Sequence, residues 1–412
     1  MLLTGDEPKV NKLKIVLITT GQPAVNPRIV KEANALHAAG FDVTILYSFF
    51  IHWAQEKDKI LLKNVLWKYK MLGGDEIDNK AFYFFTRLRC KISGILNKYF
   101  GNIFLLAERA QGRAYDELLQ EAKNIKANWY IGHNLGALAI AVKAAKYNNA
   151  KAGFDFEDYH RGEGHISSTL KRIVFLEKKY VPFLSYYSCA SELISNRTAK
   201  NHADFSGKVI TLLNCFPLEQ QPVFVEKAQS DNTLKLFWFS QTIGTNRGIE
   251  LLLKAINIIE NNSIHLTLAG RCNDDLFKLI EKNFSKQLNN IHFAGLIQPE
   301  YLPHFAAQFD VGLAIELTEP YNRNICLTNK IFTYLLAGNA IILSNTAMQS
   351  SFNVQYKVGE SFVTNDAESL AEKIIFYLDI KKLNVQKKYN YELAKNKLNW
   401  ENESKKLLEI IN

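Results

Sequence analysis

Two stretches combine residue types suited to holding a phosphorylated sugar. In FWFSQTIGTNRGIELL an apolar run passes into a polar, glycine-containing turn and then into a helical pattern opening near Arg247. Such a junction presents free backbone N–H groups and the positive end of a helix dipole, and an arginine adds a two-pronged charge. Ser240, Gln241 and Thr242 can donate further hydrogen bonds, and Gly244 and Gly248 let backbone approach an anion closely. The pattern is that of a diphosphate site, although an ordinary strand-to-helix turn with a surface arginine reads the same way. In VGLAIELTEPYNRNICLTNKIF, Glu316 follows a strand-like run, and Asn329 and Lys330 stand at the start of a helix. A carboxylate there accepts hydrogen bonds from sugar hydroxyls, while the lysine and the helix N-terminus hold phosphate oxygens. Glu316 and Glu319 equally suit solvated loop acids.

Polar residues also gather after strand-like runs in the first half. GQPAVNPR carries Gln22, Asn26 and Arg28, IGHNLGAL carries His133, and FDFEDYH carries Asp155, Glu157, Asp158 and His160. A lone histidine after a strand is more often packed or on the surface, but three polar loops at strand ends have the character of a substrate edge.

The elements that must position these residues alternate. KIVLIT, a helical RIVKEANALHAAG ended by Gly40, and DVTILYS form a strand–helix–strand unit, which implies a parallel sheet. WYIGH, LGALAIAVKAAKY, AGFDFED, LSYYSCAS and KVITLLNCFP continue it. The polar, aperiodic LEQQPVFVEKAQSDNT after Pro217 reads as a linker. The rhythm then restarts with LKLFWFS and runs through RGIELLLKAINIIE, IHLTLAG, NIHFAG, VGLAIE and AIILS to ESLAEKIIFYL. The expected fold is α/β, two Rossmann-like doubly wound parallel-sheet domains, residues 1–217 and 218–385. Residues 386–412 read as a charged closing helix.

Length and composition agree with this reading. The 412 residues are 47% hydrophobic and 22% charged, enough for two or three packed domains. Five cysteines without a CxxC pair suit a reducing compartment better than a disulfide scaffold. The opening residues lack the long apolar core of a signal peptide, and no stretch is apolar enough for a membrane span; a cytoplasmic, soluble protein is expected. The net charge of +9 favours anionic partners. Nucleic acid is not expected among them, since no recognition motif accompanies the charge. No phosphate-loop GxxxxGK[ST], no GxGxxG after the first strand, no HExxH, no GxSxG and no Cys/His cluster at zinc spacing occurs.

One region departs from the α/β rhythm. Residues 79–113 hold seven basic residues against the single acid Glu108, together with seven aromatics. It reads either as a helix packed on the sheet with a solvated basic face, or as a membrane-surface patch.

Both halves resemble the GT-B glycosyltransferases, and most of all the retaining family-four enzymes. The matching stretches are KIVLITTGQPAVNPRIVKEANALHAAGFDVTIL, FSQTIGTNRGIELLLKAI, LTLAGR, NIHFAGLIQPEYLPHFAAQFDVGLA and NKIFTYLLAGNAIILSNT. The resemblance implies two domains facing across a cleft, residues 1–217 on the acceptor side and 218–385 on the donor side, with the closing helix of residues 386–412 crossing back to the first domain. It also implies transfer of a sugar, with retention, from a nucleotide-sugar to a cell-surface glycan or lipid-linked acceptor; with the basic aromatic segment this suits work at the inner face of the plasma membrane. It places Arg247, Lys330 and Glu316 at the reaction centre, with Ser240, Gln241, Thr242, Gly244, Gly270, Arg271, Leu296 and Asn329 around the donor. Gln22, Asn26, His133 and Asp155 fall on the acceptor side. No metal and no cofactor are expected, the nucleotide-sugar being a co-substrate. The family often places two glutamates eight positions apart in this region; here Thr333 occupies the second position and Ile325 the first. A non-catalytic sugar-nucleotide- or polyanion-binding protein of the same fold is the alternative reading.

Overall fold

The computed structural model describes residues 12–244, 247–272, 277–278, 280 and 289–412. Short β-branched runs alternating with helices produce parallel sheets, because parallel neighbours need a crossover long enough to hold a helix. The first sheet contains β1 (Lys14–Thr19), β2 (Asp42–Ser48), β3 (Lys68–Leu72), β4 (Trp129–His133), β5 (Lys151–Phe156), β6 (Tyr186–Cys189) and β7 (Lys208–Thr211), in the order β3-β2-β1-β4-β5-β6-β7. The second contains β8 (Leu234–Ile243), β9 (Ile264–Cys272), β10 (Ile291–Gly295), β11 (Val311–Ala314), β12 (Ala340–Ser344) and β13 (Gly359–Phe362), ordered β10-β9-β8-β11-β12-β13. In each sheet the order reverses once, beside β1 and beside β8. Loops diverge at such a point and open a crevice at the carboxyl ends of the strands.

Local sequence explains the elements that frame these edges. Helix α1 (Pro27–Ala38) begins with proline at its first position, and the Asn26 side chain accepts a hydrogen bond from Ile29 N at 3.3 Å. Proline is tolerated there because that N–H has no helical partner, and the asparagine satisfies one of the donors that remain. β8 departs from expectation. The strand continues to Ile243, where a turn is anticipated from the polar SQT, because a bulge between Phe239 and Thr242 restores pairing of Thr242 with Arg271. β3 and β13, which lack a strong apolar run, are elements the sequence reading does not contain.

Each sheet is covered on both faces. The Ala-rich helix Leu135–Tyr147 lies almost wholly inside the first core. The helix Ile380–Asn396 belongs to the second half, where Asn390 Nδ2 donates to Asn339 O and Val358 O, both at 2.8 Å. The final helix, Trp400–Ile411, returns to the first sheet. Trp400, Leu407 and Ile411 share a core with Leu17, Ile29 and Trp129, and full burial of such side chains stabilises by roughly 1.5–3 kcal/mol each. Trp400 Nε1 donates to Lys31 O and Trp129 Nε1 to Ile411 O, both at 3.2 Å, and Leu213 N donates to Glu403 Oε2 at 2.8 Å. Among the described residues no helix is long and apolar enough to cross a membrane.

Candidate active site

The carboxyl-end loops of the two sheets meet. From the first half come α2 (His52–Leu61), the loop after β5 and the residues just past β6; from the second come the end of β9 and residues 315–330. The Arg271 guanidinium lies 5.6 Å above the Trp53 ring. Asn322 Nδ2 donates to Asp158 Oδ1 at 2.8 Å, its Oδ1 accepts from Tyr159 N at 2.9 Å, and Ser191 Oγ donates to Ile325 O at 2.6 Å. Crossing polar contacts of this kind hold the two edges face to face.

On the second sheet, two of the expected residues pair, and a third lies on the turn packed beside them. Lys330 opens the helix Asn329–Ala337, and its Nζ lies 2.7 Å from Glu316 Oε1, with both side chains a little exposed. The Glu316 backbone N donates to Ser344 Oγ at 2.8 Å, which fixes the loop after β11 to the end of β12. Trp238 lies beneath the lysine, 5.4 Å from ring centre to Nζ. Arg247 is exposed, next to Gly248, which caps the helix Ile249–Ile259 in the left-handed region at φ 81°. A Cβ on Gly248 would stand 2.4 Å from Ile315 Cγ2, so only glycine lets this turn press against the residue preceding Glu316. Two cations and a carboxylate thus share one strand-edge neighbourhood.

The remaining donor-side expectations divide. Gly270, at φ 144°, lets β9 approach the carbonyl of Ser240, which a Cβ would meet at 2.3 Å; both residues therefore shape the bulge. Gln241 and Thr242 are exposed strand residues, and Leu296 is exposed just past β10. Gly244 ends the strand beside residues 245–246, which lie outside the described residues. Arg271 reaches the first domain. The Asn329 side chain points to the interdomain segment, where its Oδ1 accepts from Asn214 Nδ2 at 2.7 Å. Thr333, fully buried, donates its hydroxyl to Asn329 O at 3.0 Å.

The acceptor-side expectations need correction, because burial removes all four side chains from the cleft surface. Gln22 is 1% exposed and fully engaged: Nε2 donates to Asp58 Oδ2 at 2.8 Å, and Oε1 accepts from Phe50 N and Ile51 N. Asn26 is the cap of α1. His133 and Asp155 are each 1% exposed and belong to an internal ion cluster with Arg28 and Glu32. Arg28 Nε lies 2.6 Å from Asp155 Oδ2, Nη2 donates to Asp155 Oδ1 and Nη1 to Leu212 O, both at 2.8 Å. Glu32 Oε2 lies 3.1 Å from His133 Nε2, and Ser188 Oγ donates to Asp155 Oδ1 at 2.6 Å. Burial alone would depress the His133 pKa, but Glu32 and Asp155 outweigh it and the net shift is upward. One ligand atom each of Glu32, His133 and Asp155 lies within 4.8 Å of the others, and the guanidinium supplies the counter-charge a cation would bring there.

Sequence reasoning leaves out Glu32, although Arg28 and Glu32 form an i,i+4 pair among the apolar positions of α1, which was the available signal. It also leaves out Asn214 and Lys31. Lys31 Nζ donates to Cys215 O at 2.7 Å and sits over the Trp400 ring, and its burial lowers the pKa to about 7. Glu157, whose Oε1 accepts from Asn214 Nδ2 at 3.3 Å, is pushed up to about 7 by desolvation despite the nearby Arg28.

Known structures carry this same pair of facing sheets. The fold is GT-B. Sucrose-phosphate synthase from Thermosynechococcus elongatus superimposes with a TM-score of 0.70 at 14% identity, covering 97% of this chain and 98% of that one. Anabaena Alr3699/HepE, in complex with UDP and glucose, gives 0.67 at 13% identity over 96% and 98%. TarM gives 0.67 at 11% identity over 97% and 99%. Residues 220–393 match the family model described as glycosyl transferases group 1. No curated protein matches the chain.

Proposed function

We propose that this GT-B chain is a glycosyltransferase that moves a sugar from a nucleotide-sugar to a glycan or lipid-linked acceptor, with retention and without a metal. The observation that carries the reading is the Lys330–Glu316 pair, at a helix N-terminus on the edge of the second sheet that faces the first. In the reaction the bond from the anomeric carbon to the phosphate oxygen breaks, and its electron pair stays on the diphosphate. Lys330, Arg247 and the helix N–H groups stabilise that developing charge, which is worth most where water is excluded. The acceptor hydroxyl oxygen bonds the anomeric carbon, and its proton leaves with the diphosphate, the base that retention puts on the same face. Lys330 exchanges its carboxylate partner for phosphate, which releases Glu316 to accept hydrogen bonds from the sugar.

Uridine diphosphate is the first donor nucleotide to test, since the solved Alr3699/HepE holds UDP-glucose and a TarM variant holds UDP with alpha-GlcNAc-glycerol. In this reading the product serves a cell-surface polysaccharide and the enzyme works at the inner face of the plasma membrane. The test is release of nucleoside diphosphate from a panel of nucleotide-sugars, with and without chelator. Buried Thr333, from which no carboxylate reaches a ribose, favours a second reading as a sugar-nucleotide-binding protein; binding without any turnover would select it.

A further inference from the structure

We propose that the helix α3 (Lys80–Phe100) is a docking surface for an anionic lipid bilayer. The docking itself is independent of sugar transfer; only the acceptor presented there rests on the reading above. α3 is inverted with respect to an ordinary surface helix. The side it turns to the protein is polar: Tyr83, Thr86, Ser93 and Asn97 are buried. Thr86 Oγ1 donates to Gly73 O at 3.1 Å, and Asn97 Nδ2 to Gly101 O at 3.0 Å. The side it turns outward is apolar. Phe85, Leu88, Ile92, Ile95, Leu96 and Tyr99 are between 36% and 74% exposed. At about 100° per residue they fall on one stripe along the full length of the helix.

Charge decides what that stripe meets. Lys80, Arg87, Lys91 and Lys98 project along one flank of the stripe, and α3 contains no Asp or Glu. Among the described residues no carboxylate forms an ion pair with any of the four. Apolar side chains with a bordering row of cations fit the plane where acyl chains meet anionic headgroups. A second copy fits poorly, because each α3 would bring its own cations to the seam and no acid to answer them. Position supports the same occupant: Tyr83 packs edge-on against Phe49 at 5.4 Å, immediately after β2. The helix therefore starts at the carboxyl edge of the first sheet, and a bilayer on α3 borders the mouth of the cleft.

The experiment is co-sedimentation of the full chain with phosphatidylcholine vesicles with and without phosphatidylglycerol, across a salt series, alongside sedimentation velocity without lipid. Expected are binding to the anionic vesicles that weakens as salt rises, and a loss of about fivefold in affinity for each of Lys91→Ala and Lys98→Ala. The double variant Leu88→Asp/Ile92→Asp, at exposed positions, should keep the thermal unfolding of the parent and lose binding altogether. Absence of binding to anionic vesicles, binding unaltered in these variants, or an α3-dependent dimer in solution overturns the proposal. Nucleoside diphosphate binding in free solution is measured on the same samples, so failure of docking is told apart from failure of the transferase reading.

Discussion

Opposite charges gather near the carboxyl ends of strands in both halves of the molecule, and the two sets differ in access to water. In the first half Arg28, Glu32, His133 and Asp155 are at most 1% exposed and hold one another. In the second half Lys330 and Glu316 keep 13% and 11% of their side chains exposed, beside the exposed Arg247. A cluster closed off from water puts its charges out of a ligand's reach, and losing one partner there leaves the others uncompensated, so its members maintain the fold. An open pair can exchange a partner. Both places join acidic and basic side chains from strand ends and the helices beside them; burial is what differs between them.

The largest effect should come from breaking the closed cluster. Replacing Arg28 with Met leaves the buried carboxylates of Glu32 and Asp155 with only His133 to answer them, and a loss of about 3–5 kcal/mol in unfolding free energy is expected. Urea denaturation checks it, and a loss below about 1 kcal/mol would show that the cluster is not the internal brace its burial implies. Arg247→Ala should leave stability nearly unchanged and weaken nucleoside diphosphate binding by about 1.5–3 kcal/mol, the worth of one hydrogen bond to a charged group. Glu316→Gln sharpens the contrast through its sign. Removing the carboxylate that competes for Lys330 should tighten binding of free nucleoside diphosphate severalfold and slow sugar transfer, whereas equal loss of both would make Glu316 a structural support.

The smallest expected effect is a pH dependence. His133 has a folded-state pKa above the unfolded value of about 6.5, so the protonated ring contributes stability in full below that value and loses it as pH rises through the folded pKa. His133→Gln should therefore be less stable than the parent at acid pH, with the gap closing toward alkaline pH. Glu157, raised to about 7 by desolvation, has the same sign: stability present below its unfolded value is lost as pH rises toward and past 7. Glu157→Gln should flatten that part of the profile measured by thermal unfolding.

The α/β alternation was legible because strands such as KIVLIT and AIILS are buried on both faces, and nothing but an apolar run survives there. The apolar side of the closing segment was legible too, and Trp400, Leu407 and Ile411 lie in the first core. β3, with Lys68, Lys70 and an exposed Tyr69, sits at a sheet edge and carried no such signal. Within the candidate site, Lys330 and Glu316 were legible as charges at a helix start and a strand end. The closure of His133 and Asp155 was not, because it depends on Glu32 and Ser188, which no local pattern connects to them.

The most direct test is calorimetric titration of uridine diphosphate, and of guanosine diphosphate in parallel, into the parent chain and Lys330→Ala. Binding by the parent to at least one nucleotide, weakened tenfold or more in the variant (about 1.4 kcal/mol) with thermal unfolding unchanged, is the predicted result. Affinity within about twofold of the parent would mean that the open pair does not hold the diphosphate.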